Sequence, residues 1–261
     1  MKCWIAGAAV LGPGLPGWEA SRPVLAGEAP WQDAPLTLPP PANLPPTERR
    51  RTSQAVRLAI AAAGEAAARS GLDPAGLETV FASSNGDGAV VGAILDALAT
   101  PDGVISPTQF HNSVHNAAAG YWGIAVGSSR PSISLGGHDD TVATGLLQAA
   151  AGVAARGAPI LFCAYDAPLI APLDAKRPTE GLFAAALVLT PRPDGAMAAI
   201  SLEMRAEAGD PRPAGPLAVL MDRNPAARAL PILCALAEGR AARIPMPLVD
   251  GGALVVEVTP C

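Results

Sequence analysis

The chain has 261 residues, of which 50% are hydrophobic, 16% charged and 4% aromatic, and its formal net charge is −5. This length and apolar content suffice for one large packed domain or two small ones, with a core built from small aliphatic side chains. The acidic net charge argues against a nucleic-acid surface, which needs a basic patch. The sequence contains no uninterrupted apolar run of about 18 residues, so we predict no membrane-spanning helix. Four widely spaced cysteines without a CxxC pair favour reduced thiols in a cytoplasmic protein.

The N-terminal part of the chain predicts a buried strand, a long loop and a helix. Residues 2–11 form an uninterrupted apolar run, which is typical of a strand covered on both faces. The GPGLPG sequence at 12–17 matches the letters of a dinucleotide-binding motif, but prolines interrupt it and no helical pattern follows directly, so we expect no cofactor. Residues 20–46 contain eight prolines and predict an extended surface loop. A helix then begins near Thr47 or Thr52 and ends at Gly71.

Strands alternate with helices through the rest of the chain, which predicts the α/β class with right-handed parallel β-α-β units. A central helix is expected to carry one apolar face, made of Phe110, Val114, Ala117, Tyr121 and Ile124. Further strands are predicted at 79–83, 132–135, 159–164, 182–190, 198–206 and 253–258, with a short helix ending near residue 98 and others over about 140–156 and 226–237.

Two histidines of the central helix are candidate metal ligands. His111 and His115 lie one helical turn apart, which could present two ring nitrogens to a metal ion. The zincin pattern, however, requires a glutamate where this chain has Asn112. We therefore predict no metal site here.

A second polar group follows the strand at 132–135. The segment from Gly136 to Thr141 joins this strand to a helix, where α/β proteins place nucleophiles and oxyanion holes. It contains no serine or cysteine, and we interpret Asp139 and Asp140 as helix-capping and first-turn residues. A role for the two carboxylates as an acid/base pair stays open.

Cys163 lies in a central strand and is interpreted as a small buried hydrophobe rather than as a nucleophile. No histidine follows His138 in the sequence. A catalytic Cys–His pair completed from the C-terminal half is therefore excluded.

Several of these segments resemble the β-ketoacyl synthases of the thiolase-like fold. Residues 5–14 are similar to the first strand and turn of the family, and the motifs at 105–107, 116–120, 127 and 131–134 match its helix, loop and nucleophile strand without gaps. The resemblance covers roughly residues 3–190. It implies a thiolase-like half over residues 1–195, with a mostly parallel five-stranded sheet and helices on both faces. Residues 196–261 would form a small C-terminal extension packed on the same domain.

Two departures from the family pattern bear on function. Family synthases follow the strand with Thr-Ala-Cys-Ser-Ser, whose cysteine takes the acyl chain, and the ungapped count puts that cysteine on Asp139. A carboxylate cannot form the thioester intermediate that condensation requires. Active synthases also have a second half that supplies two histidines, and this chain has none after His138. We therefore expect a catalytically inactive homologue.

The chain resembles the half-length chain-length-factor-like subunits of aryl polyene and related type II fatty-acid-like pathways. This resemblance implies a non-catalytic subunit that forms a heterodimer with a full-length β-ketoacyl synthase, shapes its acyl tunnel, and meets acyl carrier protein indirectly. It implies no metal, cofactor, nucleic acid or membrane span. The residues implied in contacts with the partner or its tunnel are Thr108, Gln109, Phe110, His111, Pro131, Ser132, Ile133, Ser134 and Leu135.

Two other functions remain open from the sequence. One is an acyl-thioester hydrolase in which His138 and Asp139 activate a water molecule. The other is a homodimeric module that binds acyl carrier protein. The acyl chain length, the partner synthase and the role of residues 207–250 are not encoded in any recognisable motif.

Overall fold

The computed structural model describes residues 1–206, 209, 212–248 and 251–261. Within them the helices are α1 (Trp18–Leu25), α2 (Pro46–Arg51), α3 (Gln54–Ser70), α4 (Gly88–Ala99), α5 (Pro107–Asn112), α6 (Ala117–Val126), α7 (Thr141–Arg156), α8 (Val219–Arg223) and α9 (Leu230–Glu238). The strands are β1 (Lys2–Leu11), β2 (Glu78–Ala82), β3 (Ser132–Leu135), β4 (Ile160–Asp166), β5 (Phe183–Thr190), β6 (Ala198–Arg205), β7 (Ala242–Pro247) and β8 (Ala253–Pro260).

The described strands form one eight-stranded sheet in the order β3-β2-β4-β5-β1-β6-β8-β7. Strand β2 is parallel to β3 and β4, whereas the other neighbouring pairs are antiparallel. The α/β class is confirmed, but the prediction of a mostly parallel, five-stranded sheet is wrong. One reason is that the connection between β4 and β5, residues 167–182, contains no helix that could form a crossover, and β5 runs antiparallel to β4. The other is that β6, β8 and β7 continue the sheet beyond β1.

Two hydrophobic cores lie on the two faces of this sheet, and β1 contributes alternate residues to both. Ile5, Ala8 and Val10 belong to the core shared with α7 and α9, whereas Ala6 and Ala9 belong to the core shared with α3 and α6. The two-residue period of a strand gives this alternation on each side of an irregularity between Ile5 and Gly7, where the pairing of β1 with β5 shifts its register. The uninterrupted apolar sequence of residues 2–11 is thus explained by burial on both faces.

Small residues let α3 approach β1 closely. A Cβ atom at Gly7 would lie 2.3 Å from the carbonyl oxygen of Ala66, so the strand needs glycine at the crossing point. The helix itself begins at Ser53, whose hydroxyl accepts a hydrogen bond from the N–H of Val56, and it ends at Gly71. The predicted core of small aliphatic side chains is therefore confirmed at this contact.

Two predictions about helices are wrong. Residues 18–25 form α1, although the proline content predicted an extended loop from residue 20, and the N–H of Trp18 donates to Glu65 Oε1 at 2.6 Å. The single central helix is instead α5 and α6, separated at residues 113–116. Because of this break, Phe110 is exposed while Tyr121 is buried, and the five predicted apolar residues do not share one face.

The C-terminal segment packs as part of the same sheet. Strand β6 pairs with β1, and β8 lies between β6 and β7. The predicted boundary at residue 195 falls between β5 and β6, and the division into two parts stays a prediction. Residues 207, 208, 210, 211, 249 and 250, whose role was left open, lie outside the described residues. Among the helices described, none is both long and apolar enough to cross a membrane.

Candidate functional site

Polar side chains converge at the carboxyl ends of the parallel strands β2, β3 and β4. After β3, Gly136 and Gly137 lead into a 3-10 turn, His138–Asp140, which continues into α7. A Cβ atom at Gly136 would lie 2.9 Å from the carbonyl oxygen of Ser83, so the two strand ends approach too closely for a side chain. His138 has a φ of 52°, which is uncommon outside glycine. This tight turn presents Asp139 just before the first residue of α7.

The carboxylate of Asp139 contacts two arginine side chains. Its Oδ1 accepts a hydrogen bond from Nη2 of Arg177 at 2.6 Å, and its Oδ2 lies 3.4 Å from Nη2 of Arg228. Nδ1 of His138 lies 3.6 Å from Oδ1. The Asp139 side chain is 43% exposed, so the site opens to solvent. Each oxygen of the carboxylate therefore has its own cationic partner.

Arg177 links Asp139 to the loop that follows β2. Its guanidinium donates to Oδ1 of Asn85 at 2.7 Å and to Oγ of Ser84 at 2.5 Å, and it also contacts Nε2 of His138. The hydroxyl of Ser84 in turn donates to the carbonyl oxygen of His138 at 2.6 Å. Because the guanidinium can only donate, His138 Nε2 must accept, and its lone pair is engaged.

A buried carboxyl group lies beneath this network. Asp166, the last residue of β4, is fully buried, and its Oδ1 accepts hydrogen bonds from the Ser83 hydroxyl at 2.8 Å and the Asn85 N–H at 3.0 Å. Among the described residues, no group forms a hydrogen bond with its Oδ2. Burial raises the pKa of the Asp166 carboxyl to about 6, against the opposing effects of these hydrogen bonds and of the Arg177 charge. Asp166 thus anchors the Ser83–Asn85 segment on which Arg177 rests.

A narrow cleft extends from Asp139 along the start of α7, and the room inside it is about 20 Å³, enough for about one water molecule. One wall is made by the 3-10 turn and α7, and the other by α8, β7 and the segment that carries Arg228. The residues that line it are Asp139, Asp140, Val142, Ala143, Met221, Arg228, Met246 and Pro247. The C-terminal segment therefore closes one side of the candidate site.

The four residues predicted near a partner's tunnel lie together on α5. Thr108 and Gln109 are half-buried, whereas Phe110 and His111 are exposed, and the His111 ring packs edge-on against Tyr121. His115 lies beyond the end of α5, and its imidazole ring lies next to Gly136, where a Cβ atom would be 3.7 Å from its Nε2. Over the residues that the structure describes, no three histidine, cysteine, aspartate or glutamate side chains form a group able to hold a metal ion.

The second predicted contact segment, β3, is an edge strand of the sheet. Among the described strands it pairs with β2 only. The carbonyl oxygens of Pro131 and Leu135 accept hydrogen bonds from backbone N–H groups in β2 and directly after it. Successive residues of a strand direct their N–H and C=O groups to opposite sides. Because Pro131 and Leu135 face β2, Ser132 and Ser134 direct these groups away from β2, towards the open edge. The opposite edge strand, β7, contains two prolines, which have no N–H to offer another strand. The β3 edge lacks such protection.

Large apolar side chains are exposed beside these elements. Six of them fall between residues 95 and 124, a stretch that contains α5 and parts of α4 and α6: Leu95, Leu98, Val104, Phe110, Val114 and Ile124. The buried residues of α4 are two glycines, Gly88 and Gly92, against which Leu169 and Ile170 pack. Helices α4 and α5 contact each other, and α6 contacts β3.

Several residues of the site were not predicted from the sequence. Ser84 and Asp166 could have been found, because each follows an apolar strand and the carboxyl ends of parallel strands share one edge. Arg177 lies in a proline-containing connection, and Arg228 lies in a 3-10 turn at the start of the segment predicted as the helix 226–237. Neither position carries a local signal for an ion pair. Only the tertiary fold brings them to Asp139.

The fold, with its strand, tight turn and helix around Asp139, is the thiolase-like α/β arrangement of ketosynthases. A family model for the β-ketoacyl synthase N-terminal domain matches residues 25–240. The match extends over more than half of the sequence, and the chain belongs to this family. A search of curated proteins finds no match.

Solved structures with the same fold include several ketosynthase complexes. The chain aligns over 98% of its length with 99% of a chain from the ketosynthase ApeO in complex with its chain length factor ApeC from Xenorhabdus doucetiae, with a TM-score of 0.73 and 23% identity. It aligns over 100% of its length with 99% of a chain from AntDE:AntF, a type II PKS acyl-carrier protein in complex with its ketosynthase (TM-score 0.77, 13% identity). The same coverage holds for the ishigamide ketosynthase/chain length factor (TM-score 0.70, 15% identity). At these identities the likeness shows a shared fold.

Proposed function

We propose that this chain is a non-catalytic, ketosynthase-like subunit of the chain-length-factor type. It pairs in the cytoplasm with a full-length, active β-ketoacyl synthase and meets acyl carrier protein through that pair. It shapes the acyl tunnel of the enzyme in polyene, polyketide or fatty-acid-like biosynthesis. Family membership supports this proposal, as do two neighbours that are complexes of a ketosynthase with a chain length factor.

The observation that carries the proposal is the state of Asp139. Condensation needs a thiolate that attacks an acyl thioester and holds the chain as a new thioester. The residue at the corresponding position is a carboxylate, and both of its oxygens contact arginine side chains. These ion pairs withdraw electron density from the carboxylate and weaken it further as a nucleophile.

Pairing with another protein is supported by two features that lie in one part of the molecule. Among the described strands only β2 pairs with β3, so Ser132 and Ser134 direct backbone groups to an open edge. Exposed apolar side chains lie on α6, which contacts β3, and on α4 and α5. A second β-strand along β3 would satisfy the backbone groups. Stable obligate interfaces bury about 2,000 Å² or more, which such a combination of strand and helices could supply.

The proposed role in the tunnel is tested by product length. Gln109 is half-buried on α5. If α5 lies against the synthase's tunnel as proposed, a larger side chain at this position would narrow the tunnel. In a synthase reconstituted with the chain, we expect Gln109→Trp or Thr108→Trp to shift the products to shorter chains by mass spectrometry. Asp194→Asn, in an exposed turn, is the matched control. An unchanged product distribution from an intact complex would contradict the tunnel role.

The alternative function, acyl-thioester hydrolysis by His138 and Asp139, receives less support from the geometry. A general base must have a free lone pair, and the guanidinium of Arg177 already engages His138 Nε2. The hydrolase would turn over acyl thioesters as the isolated chain and lose that activity on Asp139→Asn. The proposed subunit shows no turnover in either form.

A further inference from the structure

The two arginines at Asp139 have the arrangement of a carboxylate-binding site. Arg177 approaches one oxygen at 2.6 Å and Arg228 approaches the other at 3.4 Å. Guanidinium groups are the donors that proteins use most for carboxylates, because their planar N–H groups match the two oxygens. Here the carboxylate that fills the site belongs to the chain itself.

The main arginine of this site is held in place without help from Asp139. Arg177 is only 21% exposed, and its guanidinium bonds to Ser84 and Asn85. Asn85 is itself fixed, because its N–H donates to Asp166 and its amide donates to Thr179 at 2.8 Å. A preorganised donor of this kind remains in position when its acceptor changes.

The cleft beside Asp139 indicates the size and charge of a molecule that would fit. Its apolar wall includes Val142, Ala143 and Met246, and the room of about 20 Å³ next to Arg228 admits no more than a methyl-sized group. Asp140, a second carboxylate, lines the same cleft. The narrow room in the cleft fits a monocarboxylate better than a dicarboxylate.

We propose that Arg177 and Arg228 form a binding site for a small monocarboxylate and that Asp139 occupies this site as an internal carboxylate. In the natural chain, Asp139 therefore excludes small acids from the vacated nucleophile position. This inference goes beyond the proposed function and does not require that the chain pair with a synthase.

The test replaces Asp139 with a cysteine and labels it with two reagents that differ in charge. Iodoacetate carries a carboxylate, whereas iodoacetamide is its neutral counterpart, and in both cases the thiolate displaces iodide and forms a carbon–sulfur bond. Cys261 is exposed and serves as the reference in the same chain, while Cys3, Cys163 and Cys234 are buried. Peptide mass spectrometry reports each site in the purified chain or in its complex.

In Asp139→Cys we expect the ratio of iodoacetate to iodoacetamide labelling to be about tenfold higher at residue 139 than at Cys261, because the arginines bind the reagent's carboxylate. Adding Arg177→Met removes the charge at similar length and should bring the ratio down to that of Cys261. Equal ratios at the two cysteines, or a ratio that Arg177→Met leaves unchanged, would overturn the proposal.

A second variant makes the test independent of the new thiol. In Asp139→Ala, we expect acetate to raise the Tm by at least about 2 °C over chloride at equal ionic strength, since the acid binds the folded state only. The natural chain and the double variant Asp139→Ala with Arg177→Met should show no such rise. An acetate effect of the same size in all three proteins would contradict the proposal.

Discussion

Asp166 is the residue whose ionisation controls the stability of the candidate site. It is fully buried, and its pKa is raised from an ordinary value of 3.8 to about 6. Between these two values the folded chain keeps the proton while the unfolded chain has lost it. The contribution of Asp166 to the free energy of unfolding is therefore fully present below pH 3.8. It falls by about 1.4 kcal/mol per pH unit as the pH rises towards 6.

The raised pKa of Asp166 predicts how Asp166→Asn changes the pH dependence of the free energy of unfolding. The variant has no carboxyl to titrate, so its free energy of unfolding relative to the natural chain should rise by about 2–3 kcal/mol from pH 4 to pH 7. Urea unfolding at a series of pH values measures this difference, and a constant cost of the unpaired amide cancels in the comparison. Asp194→Asn, in the exposed β5–β6 turn, is the control and should show no such trend. A pH-independent difference for Asp166→Asn would contradict the argument.

Single residues also show how far the sequence predicted the site. The position of Asp139 at the start of a helix was predicted, because a strand, two glycines and an apolar helical pattern follow one another in the sequence. The ion pairs with Arg177 and Arg228 were not predicted, since these residues are 38 and 89 positions away from Asp139. Charge pairing over such separations depends on the path of the intervening loops, for which the sequence gives no periodic pattern.

Among the elements, β1 and α3 cross so closely that the strand has no room for a side chain at Gly7. A Cβ atom at Gly7 would lie 2.3 Å from the Ala66 carbonyl oxygen and 2.8 Å from the Ser70 nitrogen, and backbone atoms cannot move aside as a flexible side chain can. Gly64 lies on the same helix and has open space around its Cβ position.

These two glycines form a matched pair for a stability measurement. We expect Gly7→Ala to lower the free energy of unfolding by about 1–3 kcal/mol, because α3 must shift away from the sheet. Gly64→Ala should raise it by about 0.5–1 kcal/mol, since alanine favours the helix and meets no neighbour. Denaturant unfolding of both variants checks the two signs. A stabilising Gly7→Ala would show that the strand and helix do not meet this closely.

The elements that were predicted correctly are those with strong periodicity and clear ends. Helices α3 and α7 and strands β1 to β6 have such patterns. The central helix was predicted as continuous because Phe110, Val114 and Tyr121 are spaced at helical intervals. The structure breaks it at residues 113–116 and leaves Phe110 and Val114 exposed. A hydrophobic pattern cannot distinguish a buried face from one that is left open for a partner.

For the whole molecule, the class of fold could be predicted, but the size and pairing of the sheet could not. Strand β7 contains Pro245 and Pro247, which read as loop residues in the sequence. At the edge of a sheet a strand tolerates prolines, because one side of it needs no hydrogen bonds. The contrast between this protected edge and the open edge at β3 emerges only from the complete strand order.

The open β3 edge leads to the central claim, that the chain forms a one-to-one complex with a β-ketoacyl synthase. The backbone of Ser132 directs its N–H away from β2, so Ser132→Pro removes a donor at the edge without breaking the sheet. Ser132→Ala is the matched control, because both variants lose the hydrogen bond between the Ser132 and Thr79 hydroxyls.

The most direct measurement is native mass spectrometry of the chain co-expressed with a full-length β-ketoacyl synthase. We expect a one-to-one complex that persists in Ser132→Ala. In Ser132→Pro we expect the dissociation constant of the complex to rise at least about fivefold, which corresponds to about 1 kcal/mol for one lost backbone hydrogen bond. A stable homodimer of this chain that ignores the synthase would contradict the account.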